Sequence, residues 1–114
     1  MENAPLTEAT YFIMLSLSHK PRHGYAIMKD VRNLSENRLI LTTGTLYGVI
    51  KRLLKLGWIE RIEDEQNKHK YEEIGRIRKA YALTNLGQRV LKSEISRLQL
   101  MIDAAHSRTV GAKA

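Results

Sequence analysis

The stretch from Leu41 to Glu60 admits few local structures. Thr42 offers a side-chain oxygen to the free amides of a helical first turn, and Thr43 and Thr45 can satisfy others. Gly57 follows the last periodic residue, where a left-handed glycine ends a helix. At 100° per residue, Leu46, Val49, Ile50, Leu53, Leu54 and Leu56 fall within one apolar sector. Opposite them lie Gly44, Gly48, Lys51 and Lys55, flanked by Tyr47 and Arg52. Each exposed glycine costs a short helix roughly 1 kcal/mol relative to alanine. A solvated helix gains nothing in return, whereas a helix whose backbone must approach phosphates or base edges gains the space of a missing Cβ. The competing interpretation is an ordinary surface helix of poor propensity.

The charge distribution bears on that choice. The chain has 114 residues, enough for one domain, and a formal net charge of +7. Residues 20–61 carry nine Lys or Arg against three acids, while residues 62–83 balance five against five. Residues 84–114 carry five against two, so the excess sits largely on and before the 43–55 helix, where it favours a polyanion with an attraction that falls with salt. There are no cysteines, which excludes a disulfide framework and thiolate chemistry. No apolar run approaches a membrane span, and the N-terminus lacks the basic and apolar regions of a signal peptide, so a cytoplasmic protein is expected.

Along the chain, Thr7 can cap a first helix over 7–18, with Ala9, Ile13, Met14 and Leu17 as its stripe and Phe12 and Leu15 widening it. Pro21 breaks the segment from His19 to His23. A second helix is expected from Gly24 to Leu34, with Tyr25, Ile27, Met28, Val31 and Leu34 inward. A loop and a short extended piece, Leu39–Leu41, lead to the third helix, giving the order of a helix-turn-helix core. Trp58–Ile62 and Lys79–Leu83 alternate as strands of a long hairpin, or wing. From Thr84 the helical period returns. Leu91, Ile95, Leu98, Ile102 and Ala105 form a 4-3-4-3 seam, and Leu86, Val90, Leu100 and Met101 form a second apolar edge. The spacing predicts a mostly α fold with a small β-wing. A winged helix-turn-helix occupies 1–83, a C-terminal dimerisation helix occupies 84–107 within the same compact domain, and 108–114 is a frayed tail. A helix packed wholly within its own monomer is the alternative for 84–107.

Several segments together resemble a known family. They are His23-Gly24-Tyr25, Thr42 through Tyr47 with Arg52-Leu53 and Gly57-Trp58-Ile59, and Arg78 through Thr84 with Gly87. In this order and at these intervals they are similar to the PadR-like transcriptional regulators. The resemblance implies a winged helix, a homodimer built by the C-terminal helix, and repression at an inverted-repeat operator, often relieved by a small molecule. Three features depart from the pattern. Gly48 stands where proline is usual, the interval between Ile59 and Tyr81 is long, which implies an extended wing, and the single C-terminal helix places the chain with the shorter members.

The candidate contacts to double-stranded DNA are Thr42, Thr43, Gly44, Thr45, Tyr47, Gly48, Lys51, Arg52 and Lys55 on the helix, with Lys68, Lys70 and Arg78 on the wing. First-turn hydroxyls can donate to phosphates beside the helix dipole, although capping accounts for Thr43 and Thr45 equally well. Lys51 is best placed for base edges or phosphate, and Lys55 for backbone alone. The acids Glu63, Asp64, Glu65, Glu72 and Glu73 oppose close application of the whole wing. The dimer interface is assigned to Leu91, Ile95, Leu98, Ile102 and Ala105. A small apolar effector would fit a cleft between the terminal and first helices. His19 and His23 have a metal-ligand spacing, but Pro21 interrupts it and no third ligand follows, so no metal and no cofactor is expected. No enzyme template is present. The alternative function is a winged-helix module binding a protein partner, which would carry apolar residues where Gly44, Gly48 and Lys51 stand.

Overall fold

In the computed structural model, the described residues are 4–63 and 79–108. The Thr7 hydroxyl accepts the Thr10 amide at 3.1 Å and so opens α1 (Glu8–Ser16). Pro21 ends the irregular segment that follows. It leads directly into β1, a two-residue strand at Arg22–His23 where only a break was expected. The next helix, α2 (Gly24–Leu34), has the bounds the sequence predicts and buries Gly24, Ile27 and Val31. Tyr25 and Leu34, expected inward, are instead 70% and 42% exposed. Tyr25 lies two residues from Ile27, on the far side of the helix, and Leu34 is the last helical residue.

Between α2 and the third helix, Glu36 and Asn37 adopt left-handed conformations at φ 54° and 68°. The turn they make is held by the buried Ser35, whose hydroxyl accepts the Leu39 amide at 2.9 Å. Leu39–Leu41 pairs with no strand among the described residues, contrary to expectation. The sheet is β1, β3 (Lys79–Leu83) and β2 (Ile59–Glu63) in that spatial order, antiparallel throughout. Its register runs from Ile59↔Leu83 to Glu63↔Lys79, with Arg22↔Tyr81 and His23↔Ala80 on the other edge. The third strand of the wing sheet thus precedes α2.

The third helix, α3 (Thr43–Leu56), is closed by Gly57 at φ 78°. Gly57 N–H donates to the Leu54 carbonyl and Trp58 N–H to the Leu53 carbonyl, the paired bonds of a Schellman stop. The same corner starts the last helix, α4 (Asn85–Arg108). Thr84 donates its hydroxyl to the Gly57 carbonyl at 2.6 Å and its amide to the Trp58 carbonyl at 3.0 Å. Its hydroxyl oxygen accepts the Gly87 amide at 3.0 Å. A β-carbon on Gly87 would collide with the Trp58 carbonyl, so only glycine lets α4 start this close. Residues far apart in sequence, Gly57, Trp58, Thr84 and Gly87, are thereby one structural unit.

One core joins these elements: Ile13, Met14 and Leu17 from α1, Ile27 and Val31 from α2, Leu46, Ile50 and Leu53 from α3, with Leu41, Ile59, Tyr81, Leu83 and Leu91. Leu91, assigned from sequence to a dimer seam, is 4% exposed within the single chain and belongs to this core. The first half of α4 packs on α1 and β3, which uses up the head of the seam. Glu94, also on that buried face, accepts the Leu6 amide at 3.3 Å and two hydrogen bonds from Arg97, clasping the N-terminal segment to α4. Beyond Leu98, every described residue of α4 is exposed, including Met101 and Ile102.

Candidate nucleic-acid interface

Amphipathic placement of α3 fixes which of its side chains face out. Leu46, Ile50 and Leu53 are buried, and Val49 and Leu54 pack partly against the core. Leu56, expected inward, is 46% exposed as the terminal helical residue. Thr42, Thr43, Gly44, Thr45, Gly48, Lys51 and Lys55 are all exposed. The Thr42 hydroxyl accepts the Thr45 amide at 3.1 Å and donates to the Thr45 hydroxyl at 3.0 Å, so the cap is built from two threonines. The Thr43 side chain makes no hydrogen bond among the described residues and projects from the first turn.

The described glycines divide by cause. Gly57 needs a left-handed backbone, and Gly24 and Gly87 have neighbours where a Cβ would stand. At Gly24 that neighbour is the phenol of Tyr47, which lies over the start of α2 while remaining 45% exposed. Around Gly44 and Gly48 a Cβ would meet nothing within 4 Å, and neither backbone is left-handed. Their glycines answer no demand of the described chain itself.

Charge sorts in the same way. Arg22 donates to the Ser16 carbonyl at 2.7 Å and faces Asp30, Arg38 pairs with Glu8, Arg32 donates to Asn37, and Arg97 pairs with Glu94. Arg52, placed from sequence on the flank of the outward stripe, is exposed and donates to the Thr10 hydroxyl at 2.9 Å, which ties α3 to α1. Lys51 and Lys55 have neither an ion pair nor a hydrogen bond among the described residues, so the outer face of α3 keeps its positive charge. Lys68, Lys70 and Arg78 lie outside the described residues. Arg61, which sequence reasoning did not single out, is exposed on β2 opposite Tyr81, and Lys79 is exposed at the start of β3. Alternation could not flag Arg61, because it puts this residue on the strand face of the buried Ile59; its charge was the available signal. Among the described residues no helix is long and apolar enough to cross a membrane.

This arrangement has close structural parallels. A PadR family transcription regulator from Clostridium difficile R20291 superposes with a TM-score of 0.71 at 26% identity, covering 89% of this chain and 97% of that one. A PadR-like transcription factor from Bacteroides fragilis gives a TM-score of 0.64 at 29% identity, covering 86% of each chain. A PadR family transcriptional regulator from Eggerthella lenta gives 0.63 at 26% identity over 88% of this chain and 82% of the other. No curated protein matches the chain. The model of the transcriptional regulator PadR-like family matches residues 13–93, from the middle of α1 to the first turns of α4. With its winged helix and cationic outward helix, the chain belongs to the PadR-like family of DNA-binding transcriptional regulators.

Proposed function

We propose that the protein acts as a homodimer on an inverted-repeat operator, each protomer laying α3 in a major groove, and that it represses the adjoining promoter. The observation that carries this reading is the pair Gly44 and Gly48, exposed, with open space around both, beside lysines that no described acid neutralises. A duplex backbone or base edge is a partner that uses both features at once. The first-turn hydroxyls of Thr43 and Thr45, with Lys51, supply the reading contacts, and Lys55 reaches backbone. The dimer is supported by the outer half of α4. There the half-buried Leu98 and the exposed Met101, Ile102 and Ala105 continue the face that the inner half buries. Two-fold symmetry then sets half-sites about one helical turn apart. An open groove of about 370 Å³ between Ala4–Leu6 and α4, lined by Val90, Ser93, Glu94, Arg97 and Leu100, is where a small apolar effector would sit in this reading.

A protein-binding role for the same face has less support, because its outward stripe carries no apolar side chain between Gly44 and Lys51 other than Tyr47. Lys51→Ala separates the two. Measured by fluorescence anisotropy at fixed salt, it should weaken operator binding by roughly 1 to 3 kcal/mol if the lysine reads base edges. If it contacts phosphate instead, the slope of log K against log salt should fall by about 0.9 per protomer. Operator affinity and salt slope both unchanged would refute the assignment of the reading face.

A further inference from the structure

Tyr47 and Gly24 come from different helices, 23 positions apart, yet each explains the other. A β-carbon built on Gly24 would overlap the Tyr47 hydroxyl and stand 2.9 Å from its ζ-carbon, while the neighbouring Leu46 Cδ2 would be in ordinary contact at 3.5 Å. The tip of the phenol thus rests in the notch left by the absent side chain. Tyr47 is 45% exposed, and its hydroxyl makes no hydrogen bond among the described residues. A ring whose far end is seated against α2 has few rotamers left, so its hydroxyl is held in one direction beside the outward face of α3.

We propose that Gly24 is a positioning residue for DNA binding. By admitting the tip of Tyr47, it aims the phenol hydroxyl as a fixed donor to a backbone phosphate flanking the groove that α3 enters. This rests on the reading of α3 as the DNA-facing helix and adds to it a residue on α2 that touches no DNA. A donor held in place before binding loses less rotamer freedom on association than one that must be ordered then. Alanine at position 24 would leave α2 intact, because alanine suits a helix better than glycine does. The clashing atoms belong to the end of a half-exposed side chain, so the ring would swing outward and the hydroxyl would miss its phosphate.

The test is a double-mutant cycle with Gly24→Ala and Tyr47→Phe, using operator duplex at fixed salt and a thermal melt of each free protein. Each single variant should bind about tenfold more weakly, the size of one hydrogen bond to a charged group. The double variant should bind no worse than the weaker single variant, and the melts should not fall. Losses that multiply in the double variant overturn the proposal, because Gly24 would then act independently of the hydroxyl. Parental affinity in Tyr47→Phe overturns it as well, whatever Gly24→Ala does. A Gly24→Ala protein that fails to fold overturns it too, since the ring would not have yielded. If Lys51→Ala alone binds more weakly, the DNA-facing helix stands and the Gly24 assignment fails. If all three variants bind as the parent does, the DNA-facing helix itself is wrong.

Discussion

Gly48→Ala should push stability and function in opposite directions. Gly48 sits inside α3, away from both ends, with right-handed helical backbone and no atom within 4 Å of where a Cβ would stand. Nothing within the described chain opposes the substitution, so it should recover the propensity difference of about 0.8 to 1.0 kcal/mol. For a domain near 100 residues that raises Tm by about 4 to 8 °C. On DNA, the same methyl group stands about 1.5 Å further out than the glycine Cα. If the helix backbone approaches phosphates or base edges to van der Waals distance, α3 must withdraw by a comparable amount or lose a contact. Loss of one hydrogen bond to a charged phosphate costs about 1.5 to 3 kcal/mol, at least tenfold in affinity per half-site. A thermal melt and an anisotropy titration on the same preparation measure both effects. A variant that melts higher and binds operator as the parent does would refute close backbone approach. A variant that melts lower would refute the claim that the space is open.

Three further outcomes follow from the packing. Gly87→Ala should lower stability despite alanine's better propensity, because its Cβ would stand 2.9 Å from the Trp58 carbonyl carbon and closer still to the oxygen. Overpacking of about 1 to 3 kcal/mol should exceed a gain of about 1 kcal/mol, and a urea midpoint at or above the parent's would contradict this. The Arg97 guanidinium holds the Glu94 carboxyl below its ordinary 4.5, and the Leu6 amide adds to this against the opposing effect of burial. The folded pKa therefore lies below the unfolded one, so the clasp's contribution is complete above about pH 4.5 and is lost as pH falls through the folded value. Urea midpoints against pH should drop more steeply there for the parent than for Glu94→Gln, and parallel curves would remove Glu94 from the account. Ile102→Asp, on the protruding half of α4, should shift the protein to monomer in analytical ultracentrifugation and abolish cooperative operator binding, whereas an intact dimer would place the interface elsewhere.

The parts of this fold legible in the sequence are those set by neighbours in the chain. Thr42 and Gly57 bracket α3 because capping and the left-handed stop are local devices, and Gly24–Leu34 and Lys79–Leu83 were likewise found at their observed bounds. What escaped depends on partners far away. Arg22–His23 is too short to signal a strand and becomes one only because Ala80 and Tyr81 lie alongside. Leu39–Leu41 has strand composition but meets no sheet edge among the described residues. Arg52 stays exposed, yet no helical angle reveals that Thr10, 42 positions earlier, accepts a hydrogen bond from its guanidinium. Leu91 fits a heptad as well as Ile102 does, and only the reach of the body along α4 separates core from protruding face. In the outward stripe, Gly44, Gly48, Lys51 and Lys55 were legible because a helical angle suffices to place them. The notch at Gly24 was not, because it needs two helices.

Whether the outward face of α3 lies in the groove can be tested by attaching a DNA-cleaving iron chelate to it. The chain contains no cysteine, so Thr43→Cys gives a single attachment point on the first turn of α3, and Ser107→Cys gives one at the far end of α4. Operator duplex should be cut by the Thr43→Cys conjugate at two clusters about 10 base pairs apart, related by the symmetry of the repeat, and left intact by the Ser107→Cys conjugate. Cutting from position 107 with none from position 43, on duplex that the protein demonstrably binds, would contradict the account.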